Sequence, residues 1–106
     1  MSAPHVAVVA GVEVDTRHWI GGRRVPSVGT FTDVSPIDET PLAEIARGGV
    51  LEVEAAVAAA RTAFPGWAAT SRAERVELLH AVADGVEKRL EALAVVETAD
   101  NGALLR

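Results

Sequence analysis

At 106 residues, with 49% hydrophobic and 24% charged side chains, the chain has the balance of one folded domain or part of one; it is too short for two ordinary domains and too apolar to be disordered. The formal charge of −5, with ten scattered Lys and Arg, excludes the basic face that nucleic-acid phosphates require. Cysteine is absent, so disulfides, thiolate metal sites and a thiol nucleophile are excluded within these residues. Aromatics at 4% leave Ala, Val and Leu to build the interior, which predicts a thin core for the chain by itself.

The opening MSAPHVAVVAGVEV has no cationic start, and Gly11 and Glu13 break its apolar run. It therefore resembles neither a signal peptide nor a membrane span, and a cytoplasmic address is expected by default. Residues 1–16 read as a tail or a strand, a choice that composition leaves open. In HWIGGRRV, Gly21-Gly22 lies between apolar residues and predicts a two-residue hairpin turn. The runs Thr30 to Val34 and Leu42 to Ala46 lean towards β structure, while Pro36, Asp38 and Pro41 between them favour a turn. Extended segments are expected there, with no central strand.

After Gly48-Gly49 the pattern turns helical. Val53, Val57, Ala60 and Phe64 fall on one side, with Glu52, Glu54 and Arg61 left for solvent. Pro65-Gly66 predicts the helix stop, with Trp67 just beyond it to cover the end. Ser71 and Glu74 have the spacing of a capping box for the next helix. Leu79, Val82, Val86 and Leu90 continue one stripe, and Asp84 to Lys88 has the spacing of a surface ion pair. Periodicity alone allows this helix to run on to a stop at Asn101-Gly102, where both residues tolerate the left-handed conformation. In the closing VETADNGALLR, the last four residues read as the start of another apolar segment.

Residue chemistry alone does not assemble an active site. His5, His18 and His80 share no metal-ligand spacing, and the glycine pairs lack the context of a dinucleotide fingerprint. Glu97 and Asp100 read as solvated helix positions in preference to an acid-base dyad. A helical module docking a partner through Ala-rich faces is the alternative function that the pattern supports, and a free-standing small enzyme is the least supported.

The order of the pieces carries more. HWIGGRRV, FTDVSPIDETPLAEIARG, VEAAVAAARTAFPGWAATSRAERVELLHAVADGVE and LAVVETADNG together resemble the amino-terminal segment of the aldehyde dehydrogenase superfamily, from about Arg17 to Arg106. Three features depart from the family's pattern: Ser35 where Asn is common, Glu39 where Gly is common, and Leu51 where a polar residue usually opens the helix. The resemblance implies an α/β fold in which this stretch is a small hairpin and extended region followed by two to three helices, part of a Rossmann-like cofactor-binding domain. It also implies a break between helices near Lys88 to Leu90. Residues 17–106 would then be the amino-terminal part of an incomplete domain, catalytically inactive alone.

By the same resemblance, the full-length protein would oxidise a small-molecule aldehyde to the acid with NAD or NADP, as a homo-oligomer engaging neither nucleic acid nor membrane. The family reaction uses a cysteine thiolate, oxyanion donors and a glutamate base. No catalytic or cofactor-binding residue is assigned within these 106. A monovalent cation site is implied at the Val34 carbonyl, in the stretch Asp33-Val34, and at the Asp100 carboxylate.

Overall fold

The structure, a computed structural model, describes residues 5–104. Three two-stranded antiparallel hairpins are followed by three helices. β1 (Val6–Val9) and β2 (Val12–Asp15) reverse at Ala10 and Gly11, both at positive φ, 49° and 79°. That geometry matches the right-handed twist of the flanking strands. Residues 6–14 are therefore strand and turn. Residues 1–4 of the opening, and Leu105 and Arg106 of the expected apolar segment, lie outside the described residues.

β3 (His18–Ile20) and β4 (Arg23–Val25) form the predicted hairpin, with Gly21 and Gly22 at φ of 63° and 77°. β5 (Thr30–Val34) and β6 (Pro41–Ala46) pair from Thr30 opposite Ala46 to Val34 opposite Pro41, with a register irregularity between Asp33 and Val34. The two extended segments are thus one more hairpin, and none of these sheets has a central strand.

The β5–β6 connection is held by its own polar groups. Ser35 N–H donates to Thr40 O at 2.8 Å and Glu39 N–H to Ser35 O at 2.9 Å. Asp38 Oδ1 accepts from the Thr40 amide at 3.1 Å and its hydroxyl at 2.6 Å, and these bonds hold the Asp38 carboxyl below its usual range. Glu39 sits at φ 63°, where a Cβ crowds the carbonyl at a cost of roughly 1–2 kcal/mol. Glu39→Gly is expected to raise stability by about 1 kcal/mol, read from the midpoint of urea unfolding. An unchanged or lower midpoint contradicts this.

α1 (Val50–Ala68) starts at Gly49, whose N–H donates to Glu52 Oε2 at 2.9 Å. Glu52 is therefore a capping residue and not the solvent-facing charge that periodicity predicts. Backbone amides at Glu52 and Gly49, with Ser27, hold its carboxyl below the usual range. Val53, Val57 and Phe64 remain exposed, and α1 meets β3 instead through the side bearing Ala59, which lies 3.9 Å from where a Cβ at Gly21 would stand.

Pro65 does not end α1. The helix runs through it to Ala68, and Trp67 lies inside the last turn and not beyond the stop. An interior proline costs about 3 kcal/mol, but here it falls in the last turn, where downstream bonds offset the loss. Ala69 N–H donates to Pro65 O at 3.1 Å and the Thr70 hydroxyl to Trp67 O at 2.6 Å. Arg75 reaches back from the next helix to Trp67 O at 3.0 Å and Ala68 O at 3.2 Å.

α2 (Arg72–Lys88) opens on the predicted capping box: Glu74 N–H to Ser71 Oγ at 3.1 Å, and Ser71 N–H to Glu74 Oε2 at 2.7 Å. Its expected Asp84–Lys88 ion pair does not form; among the described residues the ion pairs are those of Asp15 with Arg17 and Arg24. Two exposed, flexible side chains gain too little from pairing to hold one geometry. At Arg89 the backbone leaves the helix (φ −114°, ψ 15°), so α2 and α3 (Leu90–Asn101) are separate, as the resemblance implies and periodicity does not. Gly102 closes α3 at φ 77°.

These elements enclose very little. Among the described residues only Val9 and Ser35 are buried, and the helix stripe Leu79, Val82, Val86 and Leu90 is open. The accessible surface is 8331 Å² for 11.0 kDa, against roughly 5,600 Å² for a compact monomer of that mass. The radius of gyration is 16.7 Å, against about 13 Å for a compact domain of this length. The thin core expected from composition is an open face.

Candidate cation site

The candidate ligands, the Val34 carbonyl and the Asp100 carboxylate, come from two elements distant in sequence. Asp33 and Val34 stand where the β5–β6 register slips, and Pro41, opposite Val34, has no amide hydrogen to offer. Asp100 comes from the last turn of α3. The structure places Asp33, half-buried, against Asp100, close enough for the two carboxyls to share a hydrogen bond. That shared bond, then burial, then the charge of Asp100 raise the Asp33 carboxyl above its usual range, while the Val34 amide partly opposes them.

Two facing carboxylates are suitable ligands for a hard cation. A bound cation would relieve the repulsion that raises Asp33. The Asp33 side chain is the residue that sequence reasoning missed, since only its backbone stretch is implied there. No cluster of three or more His, Asp or Glu exists among the described residues.

Glu97 does not join Asp100. Its Oε1 accepts from Asn101 Nδ2 at 3.3 Å, as suits a helix-surface residue. His18 Nε2 is buried without a hydrogen-bond partner, beside Gly48 and close to Glu52. Asp15 takes a bidentate bond from Arg17, at 3.0 and 2.7 Å, which holds its carboxyl well below the usual carboxylate range. The pair ties β2 to the turn that follows it.

The Asp33 and Asp100 carboxylates both line an apolar groove of about 850 Å³ whose walls include Val9, Phe31, Ile45, Leu90 and Leu93. The groove runs between the hairpins and the helices α2 and α3. No helix among the described residues is long and apolar enough to cross a membrane.

The sequence model described as the aldehyde dehydrogenase family matches residues 24–106. A probable aldehyde dehydrogenase of Streptomyces coelicolor is 45% identical over 91 residues, which is 84% of this chain and 18% of that protein. An acetaldehyde dehydrogenase of Pseudomonas aeruginosa is 42% identical over 91 residues, again 84% of this chain and 18% of the relative. Among solved structures, PnpE in complex with nicotinamide adenine dinucleotide superposes with a TM-score of 0.79 at 42% identity, covering 82% of this chain and 18% of that one. The chain spans less than a fifth of the length of each of these proteins.

Proposed function

Because the chain belongs to the aldehyde dehydrogenase family, we propose that residues 17–106 are the amino-terminal part of an enzyme that oxidises an aldehyde to the carboxylic acid with NAD or NADP. The observation that carries this reading is coincidence on one stretch. The ordered motifs after HWIGGRRV and the capped helices fall within the residues that the family model matches, and the matched solved structure covers 82% of the chain. The bound dinucleotide supplies a hydride acceptor. This chain has no cysteine to attack a carbonyl, so the nucleophile and the dinucleotide-binding turns belong to the part of the relatives that it does not span.

Within such an enzyme the work of this segment is positional. α1 to α3 present apolar faces on which the remaining cofactor domain packs, and Arg17–Asp15 and Arg75 hold the junctions between elements. The Val34 carbonyl and the Asp33 and Asp100 carboxylates hold a monovalent cation that ties β5 to α3. A homo-oligomeric full-length protein with a cytoplasmic address belongs to the same proposal.

Two measurements test it. The purified chain with acetaldehyde and NAD or NADP is expected to form no reduced nicotinamide, and turnover by the chain alone contradicts the assignment. Potassium or sodium chloride is expected to stabilise the chain over tetramethylammonium chloride of equal ionic strength, by about 1.4 kcal/mol at ten times the Kd. Asp100→Asn is expected to abolish that difference. Equal stability in all three salts removes the cation from the account.

A further inference from the structure

Asn101 is the only side-chain amide in the sequence, and glycine follows it. An Asn-Gly pair is chemically labile. The glycine nitrogen, unhindered by a Cβ, can attack the asparagine Cγ to close a succinimide. The bond from Gly102 N to Asn101 Cγ forms, the Cγ–Nδ2 bond breaks, and ammonia leaves with the proton shed by the nitrogen. Water then opens the ring at Cγ to give aspartate, or at the backbone carbonyl to give isoaspartate. The balance is one water in and one ammonia out, with no redox change.

The structure holds every group needed for that reaction in the wrong place. Gly102 N–H donates to Thr98 O at 2.9 Å, so the nucleophile is tied into the end of α3. Asn101 is the last helical residue, and its backbone must swing out of the helical range before its Cγ can approach Gly102 N. Its Oδ1 accepts from Ala103 N–H at 2.7 Å and its Nδ2 donates to Glu97 Oε1 at 3.3 Å, so the amide must break both bonds before its carbon is free to react. Pro36 closes over the cap, its Cγ 3.4 Å from where a Cβ at Gly102 would stand.

We propose that Asn101-Gly102 is a conformationally gated deamidation site: the α3 cap keeps it inert, and opening of the cap releases it to succinimide formation. The conversion is one-way. Isoaspartate adds a backbone atom that the left-handed cap cannot accommodate, and aspartate adds an anion beside Asp100 at a helix C-terminus, where the dipole disfavours it.

The test is the deamidation rate of the purified chain at fixed pH and temperature across a solvent series from trimethylamine oxide to urea, with helical circular dichroism recorded at each point. Intact mass reports Asn101 alone, because no other amide side chain exists. The tryptic peptide spanning residues 90–106 confirms the position and separates aspartate from isoaspartate. A short peptide spanning residues 99–103 in the same solvents supplies the ungated rate. The protein-to-peptide rate ratio is expected to fall at least about fivefold from the urea end to the most helical condition. Hydrogen exchange at the Gly102 amide should slow in step. A ratio that stays flat while the helical signal changes overturns the proposal. So does a chain that deamidates at the peptide rate under every condition, because the cap then protects nothing.

Discussion

Arg75→Ala is expected to destabilise the α1–α2 junction by about 2 kcal/mol, among the largest effects of any single substitution of a side chain that is not fully buried. The guanidinium donates from Nε to Thr70 Oγ1 at 2.9 Å, reaches two carbonyls at the end of α1, and lies 5.2 Å from the centre of the Trp67 ring. Hydrogen bonds to a charged group are worth about 1.5–3 kcal/mol when shielded, and a cation over an exposed ring about 0.5–1. Exposure of the carbonyls brings the total down towards the lower figure. Arg75→Lys keeps the charge without the planar fork and should recover less than half of the loss. The two variants are compared by urea unfolding. A loss below about 0.5 kcal/mol for Arg75→Ala, the level of an ordinary surface substitution, contradicts the bridging role.

The second large effect concerns the chain as a whole. Purified alone, it is expected to bind a hydrophobic dye strongly and to sediment with a concentration-dependent mass. Its surface exceeds that of a compact monomer by roughly 2,700 Å², while a standard protein interface covers only about 800 Å² on each partner. An exposure of that extent matches a face covered by a large body of protein more closely than an occasional docking patch. Serine at Leu90 and Leu93, both on the groove wall, should reduce the association. A sharp, monomeric thermal transition above about 65 °C, beyond the usual mesophile range, contradicts the open-face reading.

Where a structural feature depends on a few neighbouring residues, the sequence is a good guide. Gly21-Gly22, the Ser71 and Glu74 box and the Gly102 cap are each decided within a few residues of themselves, and each forms as its local chemistry predicts. Features that depend on distant partners are not legible in that way. Pro65 carries a strong local stop signal, yet Arg75, ten positions later, sustains the turn beyond it. The side of α1 bearing Val53, Val57 and Phe64 has the pattern of a packing face and stays exposed in the structure.

The candidate site divides along the same line. Val34 and Asp100 enter through family resemblance, since no spacing links a strand residue to the end of a helix so far along the chain. The Asp33 carboxyl becomes visible only once the register slip beside Val34 brings it to Asp100.

The central claim, that this chain is a working amino-terminal segment of an aldehyde dehydrogenase, is tested most directly by exchange. The 91 matched residues of the Pseudomonas aeruginosa acetaldehyde dehydrogenase, 42% identical to this chain, are replaced by the corresponding residues here. The hybrid is assayed for acetaldehyde-dependent formation of reduced nicotinamide. If the apolar faces and the Asp33–Asp100 pair are complementary to the rest of such an enzyme, the hybrid folds and retains activity within about tenfold of the parent, a barrier change near 1.4 kcal/mol. A hybrid that fails to fold, or that folds and forms no reduced nicotinamide, contradicts the account.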